Sequence, residues 1–193
     1  MLRRDGYRGY INLNTIVNER GVWPLEFTCR FGYPGFAICD ALHEEGWDSI
    51  FSKMVTRRAA RIETAPGYAV GVVLTVPPFP YEEGYARLSK GLPIHFRADA
   101  TAEELARLHL ADVEWKDGTL LTSGMIGYLM VATGTGATVE RAQAEAYALA
   151  SKVVVPNLRY RTDIGDKFLR RDRALLTRLS YLAEPAPDAA PGR

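Results

Sequence analysis

Residues 25–35, Leu-Glu-Phe-Thr-Cys-Arg-Phe-Gly-Tyr-Pro-Gly, leave the backbone few options. Glu26, Thr28 and Arg30 alternate with Phe27, Cys29 and Phe31. In a strand, that period places three polar side chains on one face and three apolar ones on the other. The run reads as a buried strand that ends in a glycine–proline turn. A carboxylate, a hydroxyl and a guanidinium on one strand face suit a cation and an anion held side by side. The carboxylate can bind Mg²⁺, and the guanidinium can grip a carboxylate or a phosphate. The plainer alternative is an ion pair between Glu26 and Arg30 on a wet strand face.

The rest of the composition narrows the class of protein. A chain of 193 residues holds one large domain or two small ones. With 47% hydrophobic and 24% charged residues it is an ordinary globular composition. A net charge of +1 gives no strong field toward nucleic acid or an anionic membrane, so neither is expected as a partner. No apolar run approaches the ~18–20 residues of a membrane-spanning helix, and the basic N-terminus has no apolar segment behind it, so no signal peptide is expected. Cys29 and Cys39 are expected to be reduced, buried thiols, which points to the cytoplasm. His43, His95 and His109 show no metal-binding spacing and are expected at the surface.

Read along the chain, residues 7–17 and 22–31 form an antiparallel hairpin across the turn Asn18-Glu19-Arg20-Gly21, which brings Asn12 and Asn14 near the Glu26–Arg30 face. Helical spacing follows over 36–42 and 47–61. Residues 68–76 are a near-continuous apolar run, as in a strand buried on both faces, stopped by Pro77-Pro78-Phe79-Pro80. A loop over 84–93 leads to a short strand at 94–96. Thr101 and Glu104 have the spacing of a capping box, and Asp117-Gly118 between 113–116 and 119–122 is the strongest hairpin signal. A strand over 126–133 precedes a helix over 139–153, capped by Thr138, with Val139, Ala142, Ala146, Leu149 and the neighbouring Tyr147 on one face. Residues 158–164 read as extended, 167–182 as a charged amphipathic helix with a solvated Lys/Arg face, and 183–193 as a disordered Pro/Ala-rich tail. The order is that of an α+β fold.

The run 26–35 resembles the last metal-binding strand of the ATP-grasp ligases, above all the phosphoribosylamine–glycine ligase family and its Glu-Phe-Asn-x-Arg-Phe-Gly-Asp-Pro-Glu signature. Glu26, Phe27, Arg30, Phe31, Gly32 and Pro34 match; Thr28, Tyr33 and Gly35 stand where the family has Asn, Asp and Glu. Further likenesses follow in family order: Tyr7-Arg8-Gly9-Tyr10, Gly71-Val72-Val73, Leu121-Thr122-Ser123-Gly124, the segment Ala132 to Thr138 with Ala142, Ala146 and Tyr147, and Tyr160-Arg161-Thr162-Asp163-Ile164-Gly165.

The resemblance implies the end of an ATP-grasp domain over 1–66. A β-barrel-like module of the rudiment single hybrid kind, with a packed helix, would follow over 67–182. It implies an ATP-dependent carbon–nitrogen ligase that joins an amino-acid carboxylate to an amine such as phosphoribosylamine through an acyl phosphate, in purine synthesis. Glu26, Thr28 and Asn12 would hold Mg²⁺ or Mn²⁺, Glu26 and Arg30 would bind the nucleotide and its partner, and Arg30 would be catalytic. Asn12 stands where many ATP-grasp enzymes place a further acid. Nothing in the chain resembles the family's N-terminal domain, its lysine-bearing ATP strands or its glycine-rich loop, so a second chain carrying that half is an expected partner. Two rivals stand beside this reading. One is a divergent ligase with another substrate pair, suggested by Thr28, Tyr33 and the Pro77–Pro80 loop. The other is a non-catalytic fragment that binds a nucleotide or a partner. Arg161 and Asp163 are expected to make a structural turn.

Overall fold

The computed structural model describes residues 6–56 and 62–182. It is a mixed α and β structure in which every strand pair is antiparallel. Strands β1 (Asn12–Asn18) and β2 (Gly21–Thr28) form a two-stranded hairpin, followed by helices α1 (Gly35–Asp40) and α2 (Trp47–Thr56). The expected strand over 7–17 begins only at Asn12, and the helix expected over 47–61 ends at Thr56, short of its last five positions, which lie outside the described residues.

The main core lies between two small sheets and one long helix. Strand β3 (Tyr68–Thr75) pairs with β8 (Tyr128–Gly136), which pairs on its other edge with β5 (Leu108–Leu110). The second sheet runs β6 (Val113–Lys116), β7 (Thr119–Thr122), β4 (Pro93–Phe96), β9 (Val153–Val154). Val72, Leu74, Leu129, Met130, Val131 and Ala132 are fully buried, so the apolar run of β3 and its partner is covered on both faces as its pattern requires. Helix α5 (Val139–Ala150) buries Val139, Ala142, Ala146 and Leu149, the face its spacing anticipates, and Thr138 accepts a hydrogen bond from the Arg141 amide as its cap. Asp117 and Gly118 take φ of 48° and 76°, the backbone of a type I′ turn that a right-twisted hairpin favours. Thr101 and Glu104 form the reciprocal capping box of α4 (Ala102–Leu105).

Other elements depart from the sequence pattern. One helical turn, α3 (Tyr85–Leu88), interrupts the expected 84–93 loop, and β5 was unmarked because Leu-His-Leu is too short to show a period. Residues 158–164 form no strand and touch β3 through one bridge, Thr75 to Arg159. The helix expected over 167–182 is a π-helical turn (Phe168–Asp172) that passes into α6 (Arg173–Arg178). The 183–193 tail lies outside the described residues.

Two burial expectations are corrected. Strand β2 is not buried: Leu25 and Phe27 are 62% and 64% exposed, and Leu13, Ile16, Val22 and Trp23 are exposed with them. Alternation assigns residues to faces but does not say whether a face is covered. Cys29 and Cys39 are accordingly exposed free thiols. His43 and His109 are also not surface residues, since their side chains retain 8% and 18% exposure.

Helix α1 seats the hairpin on the core. A Cβ built on Gly71 in β3 would lie 2.5 Å from Ile38 Cγ1 and 3.0 Å from Val131 Cγ1, so Ile38 occupies the space that any side chain at 71 would need. Gly71→Ala is expected to cost about 1–3 kcal/mol by overpacking, measured by urea unfolding, with part recovered when Ile38→Ala is added.

Candidate functional site

The antiparallel register decides which side chains meet on the hairpin. Asn12 pairs with Thr28 and Asn14 with Glu26, so these four share one face by alternation. A register shift follows at Asn14/Thr15, where Leu25 is left without a partner. Beyond Thr28 the chain turns through Arg30, Gly32 and Tyr33 into α1. The result is an open cleft of about 330 Å³ lined by Asn12, Asn14, Glu26, Thr28, Arg30, Gly32, Tyr33 and Gly35. Asn12, Glu26, Thr28 and Arg30, the residues singled out in the sequence, all line it.

Local contacts hold the arrangement. The Asn14 amide donates to Glu26 Oε1 at 2.9 Å and orients the carboxylate. Asn12 Nδ2 donates to the Arg30 carbonyl at 3.3 Å, tying the start of β1 to the turn after β2. This approach requires Gly32, because a Cβ there would fall 2.4 Å from Asn12 Nδ2. Glu26 and Arg30 do not pair with each other. Arg30 donates only to the carbonyl of Phe31, at 3.0 Å, and meets no carboxylate among the described residues. The plainer reading of the run, an internal ion pair, is therefore not what this structure contains. Both charges face the cleft.

One carboxylate with amide and hydroxyl oxygens is a hard-oxygen donor set. Mg²⁺ is commonly held by one or two carboxylates, with waters and substrate phosphates completing its shell. The residues present fit such an ion as part of a site. Among the described residues no cluster of three or more His, Cys, Asp or Glu side chains could hold a metal by itself.

Aromatic contacts set the floor beyond the turn. Tyr33 packs on Tyr128 with ring centroids 4.9 Å apart, and Phe79 meets Tyr128 edge-on at 5.7 Å. Burial pushes the Tyr128 phenol well above its ordinary value, with Tyr33 adding to the shift. Burial, then the Asp112 carboxylate, raises Tyr33. Sequence spacing could not reveal this trio, whose members lie in the turn between β2 and α1, the 77–80 loop and β8.

A polar cluster behind α1 was also missed. Asp40 Oδ1 accepts from Trp47 Nε1 at 2.6 Å, and its carboxylate lies 3.6 Å from both His43 Nδ1 and His109 Nδ1. His109 stands on β5 with Nε2 3.4 Å from Thr133 Oγ1. Burial pushes the His109 imidazole below its ordinary value, against the opposing pull of Asp40.

Comparison with known proteins places this architecture. Residues 69–167 match the family model of the phosphoribosylglycinamide synthetase C domain. The curated phosphoribosylamine–glycine ligase of Thermotoga maritima is 32% identical over 161 residues, 82% of this chain and 36% of its own. That of Pseudomonas aeruginosa is 30% identical over 170 residues, 86% of this chain and 38% of its own. The crystal structure of the Thermotoga maritima ligase superposes with a TM-score of 0.67 at 30% identity, over 84% of this chain and 39% of that one. This chain thus spans a little over a third of the length of these relatives. A match covering 82% of the chain cannot fit within residues 69–193, so it extends N-terminal to the stretch that the family model matches.

His109 gives a signed pH dependence. A histidine whose value is lowered on folding stabilises the native state fully above its unfolded value of about 6.5, and that contribution is lost as pH falls toward the folded value. Glu45 and Glu104, held down to about 2 chiefly by hydrogen bonds from Lys53 and Lys152, titrate below this window. Stability by urea unfolding should therefore fall from about pH 7 to 5, and His109→Gln should flatten the fall.

Proposed function

This chain belongs to the phosphoribosylglycinamide synthetase C-domain family, and on that premise we propose that it is the C-terminal portion of an ATP-dependent carbon–nitrogen ligase. The ligase reading assigns residues 1–66 to the end of an ATP-grasp domain and 67–182 to a barrel-like module behind it. The reaction would join an amino-acid carboxylate to an amine such as phosphoribosylamine, in purine synthesis.

The observation that carries the reading is the convergence of Asn12, Asn14, Glu26, Thr28 and Arg30 on one cleft, with Glu26 and Arg30 not neutralising each other. In the proposed reaction the carboxylate oxygen attacks the terminal phosphorus of ATP and ADP leaves. The amine nitrogen then attacks the acyl carbon, phosphate leaves, and the amine loses a proton. Glu26, with Thr28 and Asn12, would hold Mg²⁺ or Mn²⁺, which neutralises phosphate charge when bound. Asn14 keeps the Glu26 carboxylate aimed at the cleft. Arg30 would grip the carboxylate and then the acyl phosphate through its planar fork, a task for which lysine is a poor substitute.

The cleft supplies one wall of such a site. The apolar residues exposed on β1 and β2 support a covering by the rest of the enzyme. An isolated two-stranded hairpin is marginally stable in water. Leu13 and Phe27, paired in register, leave a surface suited to burial. The covering polypeptide would be either continuous with this chain or a second chain, and it would carry the ATP-binding elements.

In the assembled enzyme, Glu26→Gln and Arg30→Lys should each lower ATP-dependent phosphate release by about 100-fold or more. Asn12→Ala should weaken metal-dependent nucleotide binding with a smaller loss of rate. Unchanged rates in both Glu26→Gln and Arg30→Lys would remove the cleft from the chemistry.

A further inference from the structure

Asp112 is a half-buried residue whose carboxylate accepts no hydrogen bond and meets no cation among the described residues. It stands between β5 and β6, fixed through its backbone: its amide donates to the Tyr128 carbonyl at 2.9 Å and its carbonyl accepts from the Ser123 amide at 2.8 Å. The turn after β7 makes room for the side chain. Gly124 takes φ of 72°, and a Cβ there would collide with Asp112 Cγ. Tyr85, only 2% exposed, anchors that turn by donating its hydroxyl to the Ser123 carbonyl. The Ser123-Gly124 pair, which the chemistry of Glu26 and Arg30 leaves unused, thus gives a carboxylate its place.

That place is beside the aromatic wall of the Glu26–Arg30 cleft. Asp112 is paired through its backbone with Tyr128, whose ring packs on Tyr33 at 4.9 Å, and Tyr33 lines the cleft. The Tyr33 phenol responds to it: burial first, then the Asp112 charge, raises that group. The Tyr128 hydroxyl in the same wall is buried and has no hydrogen-bond partner among the described residues. Covering the cleft would strip water from Asp112, and a carboxylate that loses water without gaining a counter-charge is strongly destabilising. The neighbouring phenol rings have electron-rich faces, so the surroundings select a cation. An ammonium brings three N–H donors for the carboxylate and the phenol oxygen, whereas the rings offer few of the further oxygens that Mg²⁺ takes.

We propose that Asp112 binds a protonated primary amine at the Tyr33 end of the cleft. The inference rests on the ligase reading above, in which both organic reactants carry an amine: the amino acid and the acceptor. Asp112 would hold one of them by charge and hydrogen bonding, without forming a bond to it. The cleft would then sort its ligands by charge along its length, with the metal ion at Glu26, the carboxylate or acyl phosphate at Arg30, and the ammonium at Asp112.

The test is steady-state kinetics of Asp112→Asn in the assembled enzyme, with ATP, glycine and phosphoribosylamine varied in turn and circular dichroism confirming that the variant is folded. The variant should raise KM for one of the two amines by about tenfold or more, as loss of a charged hydrogen bond does, and leave KM for ATP within about twofold. A rise confined to glycine places the amino acid's ammonium at Asp112; a rise confined to phosphoribosylamine places the acceptor there. Asp112→Ala should match Asp112→Asn, since the charge is what both remove. Unchanged KM for both amines, or an equal rise for all three substrates, would overturn the proposal. Such a failure leaves the ligase reading standing, because it is measured in an enzyme that turns over. Wild-type rates in Glu26→Gln and Arg30→Lys would instead remove the cleft, and this assignment with it.

Discussion

The seating of α1 on the β3–β8 sheet is the contact on which the remaining geometry depends. Ile38 fills the space left by Gly71. The helix begins at Gly35, immediately after the turn that carries Arg30, Gly32 and Tyr33. Its far end is held by Asp40, which binds Trp47 and faces His43 and His109. The orientation of the polar hairpin face is thus set by a small apolar contact at one end of a six-residue helix and a polar cluster at the other. A short helix has little stability of its own, so this docking, not helix propensity, fixes where the turn points.

The hairpin has two chemically distinct faces. One carries Asn12, Asn14, Glu26 and Thr28 in register; the other carries Leu13 and Phe27. Both are open to solvent in this chain. A face that combines uncompensated charge with hard oxygen donors suits a ligand, while an exposed apolar face suits burial by protein. The relatives this chain matches are more than twice its length, and the main core here is complete without the hairpin. On the ligase reading proposed above, the hairpin looks outward, toward a segment that would supply the opposite wall.

Local chemistry was legible in the sequence. The Asp117-Gly118 turn, the Thr101–Glu104 box and the Thr138 cap each follow from two to four adjacent residues. The cleft was legible for the same reason: alternation in β2 plus a hairpin register put Asn12 and Asn14 opposite Thr28 and Glu26. What stayed hidden was non-local. The exposure of Cys29 and Phe27 depends on what covers a face. The Tyr33–Tyr128–Phe79 ring cluster and the Asp40–His109 approach join segments far apart in the chain. Leu108–Leu110 became a strand because the edge of β8 was available, not because its own pattern demanded it.

The most direct test of the central claim, that the hairpin is one wall of a ligase site completed elsewhere, is proximity at Phe27. A photo-cross-linking residue would replace Phe27 in the protein as produced in its own cells, and the adducts would be identified by mass spectrometry. The account predicts one dominant cross-link to a polypeptide segment, in the same or another chain, that binds ATP. Recovery of Phe27 products quenched by water alone, with no polypeptide adduct, would contradict it.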